Sequence, residues 1–381
     1  MRTIYFDYNA TTPLDANVRA AMLPFLEEIY GNPSSIHHLG RKARALLDEA
    51  RERVAKVWRC RPSEVVFTSG GTESNNLAIF GSARHLREKG RHLITSTVEH
   101  DAVLACFQYL AQKDGFNVTY LPVNEEGLVS PDDLSKALRP DTVLVSIMAA
   151  NNETGSVQPV KALGEICQAH GVVFHTDAVQ WFGKEPFDQI DQFQANLVSF
   201  CAHKLHGPKG AGALYIKSPL HPDPVLFGGS HENERRAGTE NLAAIIGLAE
   251  TVERFVRPPV FPREKLKEMT QRLIDLATAI DGVCFRGARN ARLANTASFT
   301  VAGCDSITIL AGLDLEGICA SSGSACSAGS LEPSHVLLAM GVEPALANSL
   351  VRFSLGRDST MEEVLRTAEV LRQVSKRTRR P

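Results

Sequence analysis

The sequence lacks both a long apolar run and a surplus of charge of one sign. Its 381 residues carry 41 Lys and Arg against 43 Asp and Glu, a formal net charge of -2, so no global basic field attracts nucleic acid or an anionic membrane. No stretch approaches the ~18 uninterrupted apolar residues of a membrane helix. The first seven residues include an acid, Asp7, where a signal peptide needs an apolar run. These absences predict a cytoplasmic protein that acts on a small molecule.

Several common site motifs are also missing. The 8 cysteines include no C-x-x-C pair and no zinc-ligand spacing, so neither a disulfide framework nor a metal site is expected. The dinucleotide fingerprint and the Walker P-loop are absent, which argues against NAD and ATP. Most cysteines are therefore expected to be small core residues.

Short β-branched runs alternate with amphipathic helical stretches from about residue 61 to residue 212. This alternation predicts an α/β fold with a mainly parallel sheet. The length exceeds the usual size of one core, and three prolines between Arg257 and Pro262 indicate a link between two domains. The candidate strands are Val65–Thr68, His92–Thr95, Val118–Leu121, Thr142–Ile147, Val172–His175, Leu197–Phe200 and Thr296–Val301.

A glycine-rich segment, Ser69–Asn75, follows the first of these strands and opens a helical stretch. Adjacent glycines let a ligand approach the backbone closely, and a helix N-terminus offers free N–H groups to an anion such as phosphate. A plain strand-to-helix turn capped by Thr72 is the alternative interpretation.

Two further strand ends carry charged residues. Asp177 ends an apolar strand, where open α/β sheets bind their ligands, although an Asp there also commonly caps a helix. Lys204 lies just past another strand, where a lysine is most often surface charge. With the glycine-rich segment, these residues match the Schiff-base lysine, pyridinium partner and phosphate cradle of a pyridoxal phosphate enzyme.

A small-residue segment, Ser321–Ser330, contains a single cysteine, Cys326. Its Ser, Gly and Ala composition predicts a mobile exposed loop, from which a thiol can reach a substrate and then a partner; an incidental free thiol is the alternative. Downstream, Arg352 lies in an alternating apolar strand. Its planar fork suits a carboxylate ligand, and a structural salt bridge is the competing interpretation.

Together these motifs resemble the cysteine desulfurases of the NifS/IscS group, class V of the fold-type I pyridoxal phosphate enzymes. The resemblance runs from Tyr5–Pro13 to Phe353–Arg357, and its specific pieces are Ser69–Asn75, Asn151–Gly155, His203–Lys204, Arg236–Thr239 and the Cys326 segment. It implies a large domain, residues 14–258, with a mainly parallel seven-stranded sheet flanked by helices. A smaller α+β domain, residues 1–13 and 259–381, would carry Cys326.

The resemblance also implies site roles. Lys204 would bond to the cofactor, Asp177 would pair with its pyridine nitrogen, Gln180 would contact its ring hydroxyl, and His100 would stack on its ring. Gly71, Thr72, Cys201 and His203 would hold the phosphate, with Thr239 reaching in from the partner of a homodimer. Cys201 stands where the group more commonly has Ser or Thr, and a thiol is a weaker donor. Asn152 and Arg352 would bind the carboxylate of the substrate, L-cysteine.

In the implied reaction, Lys204 removes the α-proton of L-cysteine and the Cys326 thiolate takes the substrate sulfur as a persulfide, leaving alanine. His100 is the candidate base for this thiol. A sulfur-acceptor protein, in iron–sulfur cluster assembly or another thiolation pathway, would then receive the sulfur. The alternatives are a selenocysteine lyase or aminotransferase of the same fold, or a sulfur-carrier or scaffold-binding module with a vestigial cofactor site.

Overall fold

The computed structural model describes residues 3–323 and 332–379. The strands are β1 (Ile4–Tyr5), β2 (Val65–Thr68), β3 (His92–Ser96), β4 (Asn117–Leu121), β5 (Thr142–Ser146), β6 (Val173–Asp177), β7 (Leu197–Cys201), β8 (Gly212–Ile216), β9 (Val283–Arg286), β10 (Thr296–Val301), β11 (Ile318–Cys319) and β12 (Val351–Ser354). Every candidate strand of the sequence analysis is among them, with ends shifted by at most a residue or two.

A seven-stranded sheet of order β2-β8-β7-β6-β5-β3-β4 forms the centre of the described chain. The pairs from β7 through β6, β5 and β3 to β4 are parallel, whereas β8 runs antiparallel to both β7 and β2. The predicted α/β class with a mainly parallel sheet is confirmed. Strand β8 was missed because its five residues lie shortly after the Gly207–Pro208 turn and show no alternation of apolar and polar residues.

The helices are α1 (Ala16–Met22), α2 (Pro24–Glu27), α3 (His38–Trp58), α4 (Gly71–Asn76), α5 (Ser82–His85), α6 (Asp101–Lys113), α7 (Pro131–Ala137), α8 (Val160–Ala169), α9 (Leu242–Phe255), α10 (Arg263–Thr278), α11 (Ser306–Leu315), α12 (His335–Ala339), α13 (Pro344–Ala347) and α14 (Met361–Thr378). Helix α3 buries Ala43, Leu47, Ala50 and Val54, spaced three or four residues apart, and packs against α9. Helix α4 continues through a π-helical stretch, Leu77–Gly81, into α5.

A second apolar core is separate from the core beneath the large sheet. It joins Ile4, Phe6 and Tyr8 to side chains of α10, α11 and α14 and of the three-stranded sheet β12-β10-β9. Strand β1 pairs with β11, which attaches the first residues of the chain to this later part. Because this core is separate, we propose two domains, residues 14–258 and residues 1–13 with 259–381.

Among residues 3–323 and 332–379, no helix combines the length and the apolar character that crossing a membrane requires.

Candidate active site

A cavity of about 240 Å³ opens where β6 and β7 end. Residues from distant parts of the chain line it: Asn9, Ala10, Gly71, Thr72, Asn75, His100, Ala102, Met148, Ala150, Asn152, Asp177, Val179, Gln180, Cys201, His203, Lys204 and Arg352. Parallel strands bring their carboxyl ends to one edge of a sheet, so side chains that follow different strands meet there. Of the predicted site residues that the structure describes, the fold gathers all but Thr239 here.

Lys204 follows the last residue of β7 by three positions and faces the cavity. Its Nζ donates to the carbonyl oxygens of Asn9 at 2.7 Å and Ala10 at 2.8 Å. Burial lowers the pKa of Lys204, and the charge of Arg352 also lowers it. The lowered pKa favours the neutral amine, whose two N–H groups these carbonyls can accept while its lone pair stays unused.

Asp177 ends β6 and is buried. Its Oδ1 accepts from the Val179 backbone N–H at 3.0 Å, and its Oδ2 accepts from Asn75 Nδ2 at 2.7 Å. The first bond lies within the turn after β6 and is not the helix cap of the alternative interpretation, because no helix begins there. Each carboxylate oxygen has two lone pairs, so the carboxylate retains accepting capacity toward the cavity.

The glycine-rich segment forms one wall of the cavity, at the start of α4. A Cβ added to Gly71 would lie 2.8 Å from Val179 Cγ2, so a larger residue would push into the β6–β7 side of the site. The nearby His203 ring is within 3.1 Å of Thr11 Oγ1 through its Nδ1. Burial lowers the pKa of His203 to about 4, so the ring is neutral at pH 7.

Cys201 is the last residue of β7 and is buried in the same wall. Burial raises the pKa of its thiol to about 11. The group therefore remains an S–H at neutral pH, which is a weak hydrogen-bond donor.

His100 precedes α6, and its Nδ1 accepts from the Ala102 backbone N–H at 3.1 Å. A neutral ring bonded in this way carries its proton on Nε2. The ring therefore offers a donor rather than a lone pair at Nε2, and accepting a proton from a thiol requires Nδ1 to leave its capping bond.

Arg352 is fully buried in β12, and the salt bridge expected as its competing interpretation is present. Its Nη2 donates to Asp7 Oδ1 at 2.8 Å, and its Nη1 donates to the carbonyls of Asn152 at 2.8 Å and Gly323 at 2.9 Å. Its buried Nε has no hydrogen-bond partner among the described residues. Arg352 lines the cavity beside the predicted Asn152, whose carbonyl it binds.

Thr239 lies outside the cavity. It is exposed and lines a different cleft with Ser69 and Arg236, whose guanidinium pairs with Glu73 of α4 at 2.7 Å. Cys326 lies outside the described residues.

Sequence reasoning missed Asn9, which connects much of the site. Asn9 is buried; its carbonyl accepts from Lys204 Nζ and Gln180 Nε2, and its Nδ2 donates to the Asn152 carbonyl. The only sequence signal was its place within the Tyr5–Pro13 motif, which carried no assigned role.

Comparison with known proteins assigns the class. The chain belongs to the aminotransferase class-V family, which matches residues 4–367. It is 48% identical over 379 residues to the cysteine desulfurase IscS of Dictyoglomus turgidum, covering 99% of this chain and 96% of that protein.

Two solved structures agree with this assignment. A NifS-like protein superposes with a TM-score of 0.91 at 36% identity, covering 98% of this chain and 99% of the other. A structure described as SspA in complex with cysteine gives 0.80 at 37% identity, covering 94% and 100%. The resemblance inferred from the motifs is confirmed, and the chain is a pyridoxal phosphate-dependent enzyme.

The described residues fit this cofactor. Lys204 offers an amine whose lowered pKa favours its neutral form, Asp177 offers a carboxylate with unused lone pairs, and Gly71 leaves space where a Cβ would intrude. In addition, Asn75 lines the cavity, and its buried Oδ1 has no partner among the described residues.

Proposed function

We propose that this enzyme is a cysteine desulfurase, which converts L-cysteine to L-alanine and holds the removed sulfur as a persulfide on Cys326. The observation that carries the proposal is the single cavity that brings Lys204, Asp177, His100, Asn152 and Arg352 together from five separate stretches. The 48% identity to a protein named cysteine desulfurase supports the choice among reactions of this family.

Each cavity residue has a distinct task in this proposal. Pyridoxal phosphate, when bound, supplies a ring that withdraws the electrons left behind by a departing α-proton. Asp177 keeps the pyridine nitrogen protonated, and Gln180 contacts the ring oxygen. Gly71, Thr72, Cys201 and His203 hold the phosphate.

Substrate binding and proton transfer fall to another group. Arg352 and Asn152 bind the substrate carboxylate, which orients the α-hydrogen toward Lys204. The lowered pKa of Lys204 favours its neutral form, so its amine can accept the α-proton at Nζ and later return it.

Sulfur transfer then uses Cys326. Its thiolate forms a bond to the substrate sulfur while the bond between that sulfur and the substrate Cβ breaks, and the carbon keeps the electron pair. Protonation of that carbon gives alanine. His100 stays our candidate to assist the thiol, with the condition that its Nδ1 first leaves Ala102 N–H.

Measuring alanine from L-cysteine tests this function. Purified enzyme supplied with pyridoxal phosphate and a thiol reductant should release alanine and sulfide in equal amounts. Amino-group transfer to a 2-oxo acid without sulfide would instead identify an aminotransferase, and preference for selenocysteine over cysteine would identify a selenocysteine lyase.

We also propose a homodimer with composite sites, in which Thr239 completes the partner's site. Its exposure outside its own cavity supports this, as do large exposed apolar side chains at Tyr30 (75%), Ile36 (90%) and Phe227 (83%).

Mixed dimers test this arrangement. A dimer of Thr239→Ala and Lys204→Ala chains would contain one intact site, so the isolated mixed dimer should recover up to half of wild-type activity. No recovery in exchanged dimers, shown by mass spectrometry to be mixed, would refute composite sites.

We further propose a cytoplasmic location and transfer of the sulfur to an acceptor protein, such as an iron–sulfur scaffold.

A further inference from the structure

Lys184 is a fully buried lysine beside the cavity that the proposed reaction does not use. Its exposed fraction is 2%, and lysine is rarely buried so completely unless it is paired. Its Nζ donates to Asn9 Oδ1 at 2.7 Å and to Gln180 Oε1, and it lies 5.5 Å from the centre of the Phe261 ring. Both hydrogen-bond acceptors are neutral amides that themselves belong to the cavity wall.

These bonds determine what the Gln180 amide can offer to a ligand. A glutamine amide has one acceptor oxygen and two N–H donors. Lys184 occupies the oxygen, and one donor goes from Gln180 Nε2 to the Asn9 carbonyl at 3.0 Å. The remaining group is an N–H donor.

The Asn9 amide is held in the same way. Its Oδ1 accepts from Lys184 Nζ and from Asn295 Nδ2 at 3.1 Å, while its Nδ2 donates to Thr296 Oγ1 at 2.9 Å. Exchanging the oxygen and nitrogen of Gln180 would place an N–H against the Lys184 amine and an oxygen against the Asn9 carbonyl. Exchanging those of Asn9 would place an N–H against both Lys184 Nζ and Asn295 Nδ2.

We propose that Lys184 is a positioning residue that fixes the Gln180 amide so that it presents only a donor to the ring oxygen of bound pyridoxal phosphate. A donor stabilises the negatively charged form of that oxygen, whereas a rotated amide would present an acceptor to it. The inference rests on the proposed contact of Gln180 with the cofactor ring. It does not depend on which reaction the enzyme performs.

The competing explanation is a direct electrostatic effect of Lys184 on the ring oxygen. The titratable groups that act on Lys184 are Lys204, Arg352 and the Cys201 thiol. Burial lowers the pKa of Lys184 well below its usual value, and Lys204 and Arg352 lower it further. Both explanations predict that removing Lys184 destabilises the anionic ring oxygen. They differ in whether the effect needs Gln180.

A double-mutant cycle separates them. Lys184→Met, Gln180→Ala and the double variant are compared by two readouts: the dissociation constant for pyridoxal phosphate, and the midpoint pH of the visible band of the bound cofactor. Lys184→Met should weaken cofactor binding about tenfold, the loss of one hydrogen bond to a charged group, and raise the midpoint pH. On the Gln180→Ala background the same change should add less than about twofold.

Lys217→Met is the matched control, because Lys217 is half-buried, pairs with Asp191 at 3.3 Å and is not among the residues that line the cavity; it should leave both readouts unchanged. Equal effects of Lys184→Met with and without Gln180, or no effect on either readout, would overturn the proposal. If Lys184→Met does not yield folded protein by its melting temperature, Lys184→Gln is carried through the same cycle and judged by the same criterion. A wild type that turns yellow with the cofactor but lacks desulfurase activity would refute the proposed function and leave this test intact.

Discussion

Replacing Arg352 with alanine should both destabilise the protein and weaken its binding of L-cysteine. The guanidinium is 2% exposed and bonds to the Asp7 carboxylate and to the Asn152 and Gly323 carbonyls. Arg352→Ala leaves a carboxylate that is only 20% exposed without its partner. Arg352→Ala therefore combines a loss of stability with a loss of substrate binding, and a second variant is needed to separate the two.

The stability loss follows from the buried pair. Removing one partner of such a pair costs about 3–5 kcal/mol. With an unfolding entropy of about 2.1 cal/mol/K per residue over 381 residues, the melting temperature should fall by roughly 4–6 °C. The loss of a charge-assisted bond to the substrate carboxylate, about 1.5–3 kcal/mol, should raise KM for cysteine roughly ten- to a hundredfold.

Asp7→Asn is the matched variant, because it removes the ion pair and leaves the guanidinium. Thermal unfolding and steady-state alanine formation are measured for both variants. Asp7→Asn should lower the melting temperature but raise KM less than about threefold. Equal increases of KM in the two variants, or an unchanged KM in Arg352→Ala, would show that Arg352 has only the structural role.

Three further outcomes are expected. The purified enzyme should be yellow with bound cofactor, and Lys204→Ala should lose the visible band; a colourless wild type that takes up no pyridoxal phosphate would contradict the role of Lys204. Cys201→Ser should lower the cofactor dissociation constant a few-fold, because a hydroxyl donates more strongly than the thiol, and equilibrium titration that finds no gain would count against a phosphate contact. Burial lowers the pKa of His175 to about 3, so below about pH 6.5 the unfolded chain binds a proton at this ring that the folded chain does not bind. Stability should therefore fall by about 2 kcal/mol through His175 as the pH drops from 7 to 5. The buried Glu99, whose pKa is raised to about 8, makes stability change with pH in the opposite direction. The test is therefore the slope of denaturant-derived stability against pH, which should differ between wild type and His175→Asn. Identical slopes would refute the lowered pKa of His175.

The large sheet was predictable because its signals are local. Runs such as Leu197–Phe200 are short, apolar and bounded by turn residues, and Asp177 and Lys204 follow strands whose ends a parallel sheet must bring together. Strand β8 was not predictable from periodicity, since a short apolar run that is fully buried shows no period of two.

The polar support of the site was not predictable. Asn9 and Lys204 are separated by 195 positions, yet one accepts the hydrogen bond of the other. Lys184 is a residue type that is almost always exposed, and its burial depends on acceptors from the N-terminal segment and the turn after β6. Such pairs follow from tertiary packing, which leaves no periodic signal in the sequence.

The location of the transferred sulfur tests the central claim most directly. Enzyme is mixed with one equivalent of L-cysteine, quenched with a thiol-alkylating reagent and mapped by mass spectrometry, in parallel with Cys326→Ser. The account predicts one added sulfur on the wild-type peptide that contains Cys326. The Cys326→Ser variant should bind the cofactor and exchange the substrate α-proton with solvent but release almost no alanine. Full alanine production by that variant, or the added sulfur on Cys319 or Cys201 instead, would contradict the assignment of Cys326 as the sulfur acceptor.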